Sequence, residues 1–521
     1  MSSSVKNALI ALILLVIIII RIPYLHQTMT HVDDIGFPSY IVEHDEWNYP
    51  LVLFHTHMFT YAPLQFLLTK FFTDFATTSS QILTMARLPS LLAWGLGIYL
   101  LYWVITTLYK ESAQHSNEHW ILPLILALFS WRGLIESSQS YNYATTLPIA
   151  CIIAYIFLSD DGLKLLYGTS DRTSFYTGLG IGLLIWINYQ AIFLEISCYV
   201  ATAILLYIEG RKLEIYRLMK SGIGFLISFA TIYLALLRLF TDRGVPGWAD
   251  IGVPPPSLMG KVYFFPVAWV QVWENNLAIF SWGYGTQLWA VLFIVLTATG
   301  IAVAISTKSL LVHEKRLLVI FGTIVLVWTS GAYLHKFPLG PTRHTYVLHT
   351  FILLLIAMAV FHCRKYCKIL APTLCMLCII FFSCSFSQLN CRLDNHVDLK
   401  KINNLATRYP DAAIMNLLFH HSWDHYLLLK ENPSLKNRVH RAELSWESVL
   451  NNPHNSTLIL FSHRMPLCAD LRNELISKGF NHIETIQAVE PVGSTELCGN
   501  INGGNGFFLY VAKRNSNDSA Y

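Results

Sequence analysis

Two adjacent carboxylates, Asp33 and Asp34, stand in a short polar run from His31 to Pro38, just beyond an apolar stretch from Ala8 to Ile20. A carboxylate held at a membrane boundary, under amphipathic loop segments, can have its pKa raised enough to act as a general base toward a hydroxyl. The competing role is a solvated loop charge, which fits Glu43, Asp45 and Glu46 better. Far along the chain, the turn from His335 to His344 carries Lys336 and Arg343. A guanidinium grips phosphate with two parallel N–H donors, so Arg343 is the leading phosphate ligand; interfacial anchoring is the alternative. Arg87, in Arg87-Leu88-Pro89-Ser90, either meets a lipid phosphate or snorkels to the interface. The polar turn from Glu136 through Gln139 to Tyr143 and Ala144 is either a simple hairpin or the lining of a cavity, since polar groups at membrane depth are costly otherwise. Tyr61-Ala62-Pro63-Leu64-Gln65 places a proline where it can open a helix, with an apolar face behind it.

The elements that must position these residues are membrane helices. Of 521 residues, 54% are hydrophobic and 13% charged, against roughly a quarter charged in ordinary soluble domains. A bilayer core takes about 20 apolar residues per helix. Apolar runs between charged breaks give about eleven spans, near residues 7–25, 84–108, 119–135, 142–159, 174–189, 191–208, 221–241, 286–306, 317–334, 344–362 and 369–387. The first is expected to be a retained span, because it is too long for a cleaved signal. The weakest pair is 174–208, whose connection around Asn188-Tyr189-Gln190 is very short.

Charge sets the orientation. With the N-terminus cytoplasmic, the cytoplasmic segments hold Lys110, Lys164, Arg172, Arg211, Lys212, Arg217, Lys220, Lys308, Lys315, Arg316, Arg364, Lys365 and Lys368. The opposite short loops hold chiefly Arg132, Lys336 and Arg343. This asymmetry is the positive-inside pattern. It puts an interfacial loop of about residues 22–80, a second loop of 241–287 with Pro254-Pro255-Pro256 and several tryptophans, and a tail of 388–521 on the outer face. In the tail, strand-like runs Ala412–Phe419, Thr457–Ser462 and Phe507–Ala512 alternate with helical segments Leu399–Arg408 and Cys468–Lys478, the latter stopped by Gly479. The expected fold class is therefore a polytopic α-helical membrane protein, a transmembrane domain over 1–387, with a small C-terminal α/β domain. Cys468 and Cys498 either pair or remain free thiols, and Asn455-Ser456-Thr457 is a chance-level sequon.

Taken in order, these segments resemble the integral-membrane glycosyltransferases of the C-type superfamily, nearest to bacterial relatives of protein O-mannosyltransferase and of the lipid A aminoarabinose transferase. The resemblance rests on Asp33-Asp34 after the first span, where the family carries Asp-Glu. It rests also on Tyr61-Ala62-Pro63-Leu64-Gln65, Arg87-Leu88-Pro89-Ser90, the Ser137–Ala144 turn, Phe337-Pro338-Leu339-Gly340 with Arg343, and the strand Leu458–His463. It spans nearly the whole chain.

The resemblance implies transfer of a sugar from a polyprenyl-phosphate donor to a lipid, glycan or protein acceptor, with inversion, in a bacterial inner membrane whose outer face is periplasmic. Asp33 is then the base, and Asp34 orients it or helps hold a divalent ion, whose need stays open. Arg343, Lys336 and Arg87 face the donor phosphate, and Tyr61, Glu136, Gln139 and Tyr143 line the acceptor cavity. No nucleic-acid partner is expected. A transporter or flippase, and an inactive scaffold that binds lipid-linked sugar, are the alternatives. Transporters usually show paired halves and mid-span charges, and neither stands out in this sequence.

Overall fold

The computed structural model describes residues 3–27, 63–77, 79–110, 120–137, 142–168, 170–234, 254–255, 257–279, 283–334, 338–340, 343–364, 366–393, 399–417, 428, 432–462, 467, 469–489 and 507–514. Two compact units are formed, one dominated by the helices of Arg87–Ser385 and one by Phe386–Tyr521.

The helical unit follows the apolar runs. Its helices are α1 (Ser3–Arg21), α2 (Pro63–Thr73), α3 (Ser79–Leu108), α4 (Ile121–Phe129), α5 (Trp131–Glu136), α6 (Thr146–Leu158), α7 (Asp171–Leu183), α8 (Ala191–Ile208) and α9 (Lys212–Ile232). There follow α10 (Leu258–Leu277), α11 (Gly283–Ser306), α12 (Val312–Tyr333), α13 (His349–Cys363) and α14 (Leu370–Leu393). Six of these segments are long and apolar enough to cross a bilayer, and three shorter apolar helices accompany them. Every expected span overlaps a helix, and among the described residues six meet that length and composition. Helix α10 lies where only a loop was expected; Ser257 caps it by accepting the Gly260 N–H, and it continues through Pro266. Pro63 is the first residue of α2, as its fixed φ favours.

Helix α13 is the centre of the unit. All its residues but Phe361 are buried, so it is apolar on every side, as a helix must be when ringed by others. It packs against α4, α6, α10, α11 and α12. Where α11 crosses it, a Cβ on Gly300 would come 2.4 Å from Ala359 Cα. Small residues of this kind let membrane helices approach closely, where apolar lipid supplies no hydrophobic drive.

In the C-terminal unit, α15 (Leu399–Arg408), β1 (Ala413–Asn416), β2 (Val439–Arg441), α16 (Ala442–Asn451), β3 (Thr457–Ser462), α17 (Ala469–Ser477), β4 (His482–Val489) and β5 (Phe507–Lys513) follow in order. The strand order is β2-β1-β3-β5-β4, parallel for β2-β1-β3 and antiparallel for β3-β5-β4. Side chains alternate across this sheet. Ile414, Ile459 and Val511 pack with Ile402 and Leu405 of α15, while Met415, Leu460 and Tyr510 pack with Leu450 of α16 and Leu475 of α17. Gly479 ends α17 at φ +88°, the left-handed conformation that glycine adopts without strain. The Asn455 amide donates to Val449 O at 2.9 Å, so the sequon asparagine is engaged in the fold.

Candidate functional site

Among the described residues of the helical unit, a polar grouping forms around the 3-10 turn Arg343–Leu348, which leads into α13. Gly340 precedes the turn at φ +135°, and Thr345 Oγ1 donates to its carbonyl at 3.1 Å. From α10, Asn276 Nδ2 donates to Thr345 O at 3.2 Å, and Asn275 Nδ2 reaches Thr345 Oγ1 at 3.4 Å. The Asn276 carbonyl in turn accepts from Ser130 Oγ, the residue that caps α5 by receiving the Gly133 N–H. Tyr346 stacks on His349, with ring centroids 5.1 Å apart. The backbone of the turn is thus tied to α10, which is itself tied to the start of α5.

His344 sits in this turn with its Nδ1 facing two partners. The Tyr143 hydroxyl lies 3.3 Å away and the Gln190 amide nitrogen 3.2 Å away. Tyr143 belongs to the 3-10 turn Asn142–Thr145 ahead of α6, and its ring meets His344 edge-on. Gln190 immediately precedes α8; its backbone N–H donates to Asn188 Oδ1 at 2.9 Å, and Asn188 approaches Thr145 Oγ1 at 3.5 Å. Two segments far from His344 in sequence therefore converge on its imidazole. Gln190 Oε1 and Asn276 Oδ1 are buried there without a hydrogen-bond partner among the described residues. Buried polar atoms left this way mark room for water or a ligand.

The sequence-derived residues fare unevenly. Tyr143 is in the cluster and buried. Arg343 opens the turn and Glu136 closes α5. Arg87 is 1% exposed, inside the protein within α3, two residues before Pro89. Asp33, Asp34, Tyr61, Gln139 and Lys336 lie outside the described residues, as do Cys468 and Cys498. Among the described residues no group of three or more His, Cys, Asp or Glu side chains is arranged to hold a metal ion. The sequence reading passed over His344 and Gln190 as individuals, and Asn275 and Asn276 altogether. The available signal was position: each stands at the end of an apolar run, where a polar residue is costly without a partner.

The opposite ends of α12 and α13 hold a second cluster. Glu314 Oε1 accepts from the Tyr109 hydroxyl at 2.8 Å; its Oε2 accepts the Leu311 N–H at 2.8 Å and meets His362 Nε2 at 2.9 Å. His362 Nδ1 lies 3.3 Å from Ser309 Oγ. This end carries Lys308, Lys315 and Arg316, the last donating to Leu158 O and to Asp160.

Fold and composition define a helical integral membrane protein with a small C-terminal α/β unit. No protein-family model matches the sequence, and no curated protein sequence matches it. Among solved structures, the chain is similar to ArnT from Cupriavidus metallidurans bound to undecaprenyl phosphate, at 10% identity and a TM-score of 0.51, covering 98% of each chain. The apo state of the same ArnT matches at 11% identity and a TM-score of 0.40, again covering 98% of each chain. The likeness is one of fold: the chain shares the fold of that ArnT structure.

Proposed function

We propose that this chain transfers a sugar from a polyprenyl-phosphate donor to a lipid, glycan or protein acceptor at the outer face of a bacterial inner membrane. One observation carries the reading: a polar cluster around His344 closes the end of otherwise apolar helices, at the end opposite the Lys308–Arg316 bases. The whole-chain likeness in fold to an ArnT structure bound to undecaprenyl phosphate supports it. About eleven spans, with the C-terminal unit in the periplasm, complete the topology.

The chemistry is a single displacement. The acceptor hydroxyl oxygen attacks the anomeric carbon while the bond from that carbon to the phosphate oxygen breaks. The polyprenyl phosphate leaves with the electron pair, and the hydroxyl proton passes to the Asp33 carboxylate and thence to water. One displacement inverts the anomeric carbon. Phosphate is a competent leaving group, so the main demand is cationic and N–H donors on its developing charge. Arg343 and Lys336 serve there, with Arg87 as a weaker third candidate, and Asp34 orients Asp33 or helps hold a divalent ion. Tyr143, with Tyr61, Glu136 and Gln139, lines the acceptor side.

The test is a purified chain in liposomes with a polyprenyl-phosphate-linked sugar and a membrane extract as acceptor. Release of polyprenyl phosphate coupled to appearance of a glycosylated product is the expected result. A chain that neither binds polyprenyl phosphate nor releases it overturns the reading. Mass analysis of envelope glycans and lipids, with and without the gene, then names the acceptor.

A further inference from the structure

We infer that the groove between α10 and α12 binds one anionic glycerophospholipid of the bilayer, with its phosphate on Lys261 and an acyl chain along Phe265 and Leu334.

The groove has a volume of about 300 Å³ and is lined by Phe265 of α10 and by Thr329, Ser330, Tyr333 and Leu334 at the end of α12. That end is remote from Lys315 and Arg316, which stand in the first turn of the same helix. The volume is at the small end of ligand pockets and takes part of one hydrocarbon chain. Toward the middle of α12 the two helices meet through tryptophans. Trp269 Nε1 donates to Thr329 Oγ1 at 3.1 Å, and the rings of Trp269 and Trp273 meet Phe321 edge-on. The rim is apolar and open, with Val262, Leu326, Tyr333 and Leu334 each more than half exposed. A contiguous apolar surface of this kind marks contact with a membrane or another apolar partner.

Charge decides the occupant. Lys261 Nζ stands 4.4 Å from the centroid of the Tyr333 ring, at the side of the groove. It has no carboxylate partner among the described residues. The one acid of α10, Glu274, lies more than three turns further on and receives the Thr286 hydroxyl. The Ser330 and Tyr333 hydroxyls likewise have no hydrogen-bond partner among the described residues. An apolar slot flanked by an uncompensated ammonium and two open hydroxyls matches a phosphate diester above a hydrocarbon chain. A choline or ethanolamine headgroup sets a second cation beside Lys261 with no carboxylate to receive it, so a headgroup of net negative charge is preferred.

This lipid is distinct from the sugar donor. Lys261 and Asn275, which reaches the Thr345 turn, are separated along α10 by about 21 Å at 1.5 Å per residue. A phosphate on Lys261 is therefore not at the turn that carries Arg343. A chain seated in the groove joins α10 to α12 on the side that the tryptophans leave open, and so steadies the helix whose far end holds that turn.

The experiment titrates phosphatidylglycerol or phosphatidylcholine into the delipidated full-length chain in neutral detergent and counts bound lipids by native mass spectrometry. A phosphatidylglycerol with a photoreactive acyl chain then locates the site by peptide mapping. One phosphatidylglycerol is expected to bind more tightly than phosphatidylcholine and to crosslink to the peptides that carry Phe265 and Leu334. Lys261→Ala is expected to weaken that binding about 3- to 10-fold, and Lys261→Arg to keep it. Ser330→Phe fills the groove, leaves the ammonium in place and is expected to remove the crosslink. Lys261 is partly exposed, so thermal unfolding of its variants is expected to match that of the unaltered chain. Unchanged binding by Lys261→Ala, equal binding of phosphatidylcholine, or crosslinks confined to other helices overturns the inference. Displacement of the crosslink by an equal concentration of undecaprenyl phosphate overturns the phospholipid as the occupant and assigns the groove to the sugar donor.

Discussion

The two ends of the α12–α13 pair are built from similar side chains to different purposes. At one end Glu314 takes three hydrogen bonds, and both nitrogens of His362 have partners. At the other, His344 is approached on Nδ1 by Tyr143 and Gln190, while Gln190 Oε1 and Asn276 Oδ1 stay without partners among the described residues. A fully connected buried network rigidifies; one with spare acceptors has work left to do. Histidine and carboxylate content alone therefore does not mark a site, and the completeness of the bonding around them separates a strut from a binding face.

The sharpest way to break this comparison is at the proposed base. Asp33→Asn is expected to cut sugar transfer by about 10²–10⁴-fold, measured as product formed from a purified lipid-linked donor, with melting behaviour unchanged; full retained transfer removes Asp33 from the mechanism. At the strut, Glu314→Ala strands the Tyr109 hydroxyl, the Leu311 N–H and His362. A loss of about 3–5 kcal/mol in stability is expected from breaking such a buried pair, read by thermal unfolding in detergent, with polyprenyl-phosphate affinity of the folded fraction intact. If affinity falls and stability does not, the two ends have been assigned the wrong way round. Arg343→Ala should weaken donor binding about 10- to 100-fold, as loss of charged hydrogen bonds does, and leave acceptor affinity alone; equal losses in both mean that the arginine supports the fold.

The smallest effect lies outside both ends and serves as their control. Burial holds His440, in β2, below the ordinary histidine value. The unfolded chain therefore takes up a proton at a pH where the folded one does not. Stability of the C-terminal unit is full above about pH 6.5 and declines as pH falls from there toward the lowered folded value. Melting curves of the full chain at stepped pH, compared with those of His440→Gln, check this; an identical pH slope in the variant rules His440 out.

What the sequence made legible followed physical periodicity. Runs such as 191–208 and 286–306 are apolar enough to announce themselves, and Leu399–Arg408 is helical to the residue because Ile402, Leu405 and Ala406 share one face. Thr457–Ser462 was plain because a strand buried on both faces is a continuous apolar run. By contrast β2 has three residues and owes its existence to pairing with β1, and β4 is a largely exposed edge with an irregular register near Gln487. Helix α10 was hidden behind Pro254-Pro255-Pro256 and its tryptophans, which suit a loop as well as a helix. At the site, the His335–His344 turn could be singled out by its charge, but the choice of His344 depends on Gln190, 154 positions away. No local pattern encodes that meeting; it exists only once the segments carrying the two residues are folded together.

Because α13 is buried on every side and joins the two clusters, it also acts as a ruler. One residue added within it would turn one end against the other by about 100° and advance it by about 1.5 Å. His344 and His362 could not then both face their partners. The spacing between the two histidines is thus constrained as tightly as their identities, and chains that share this arrangement should vary in length in their loops and not along this helix.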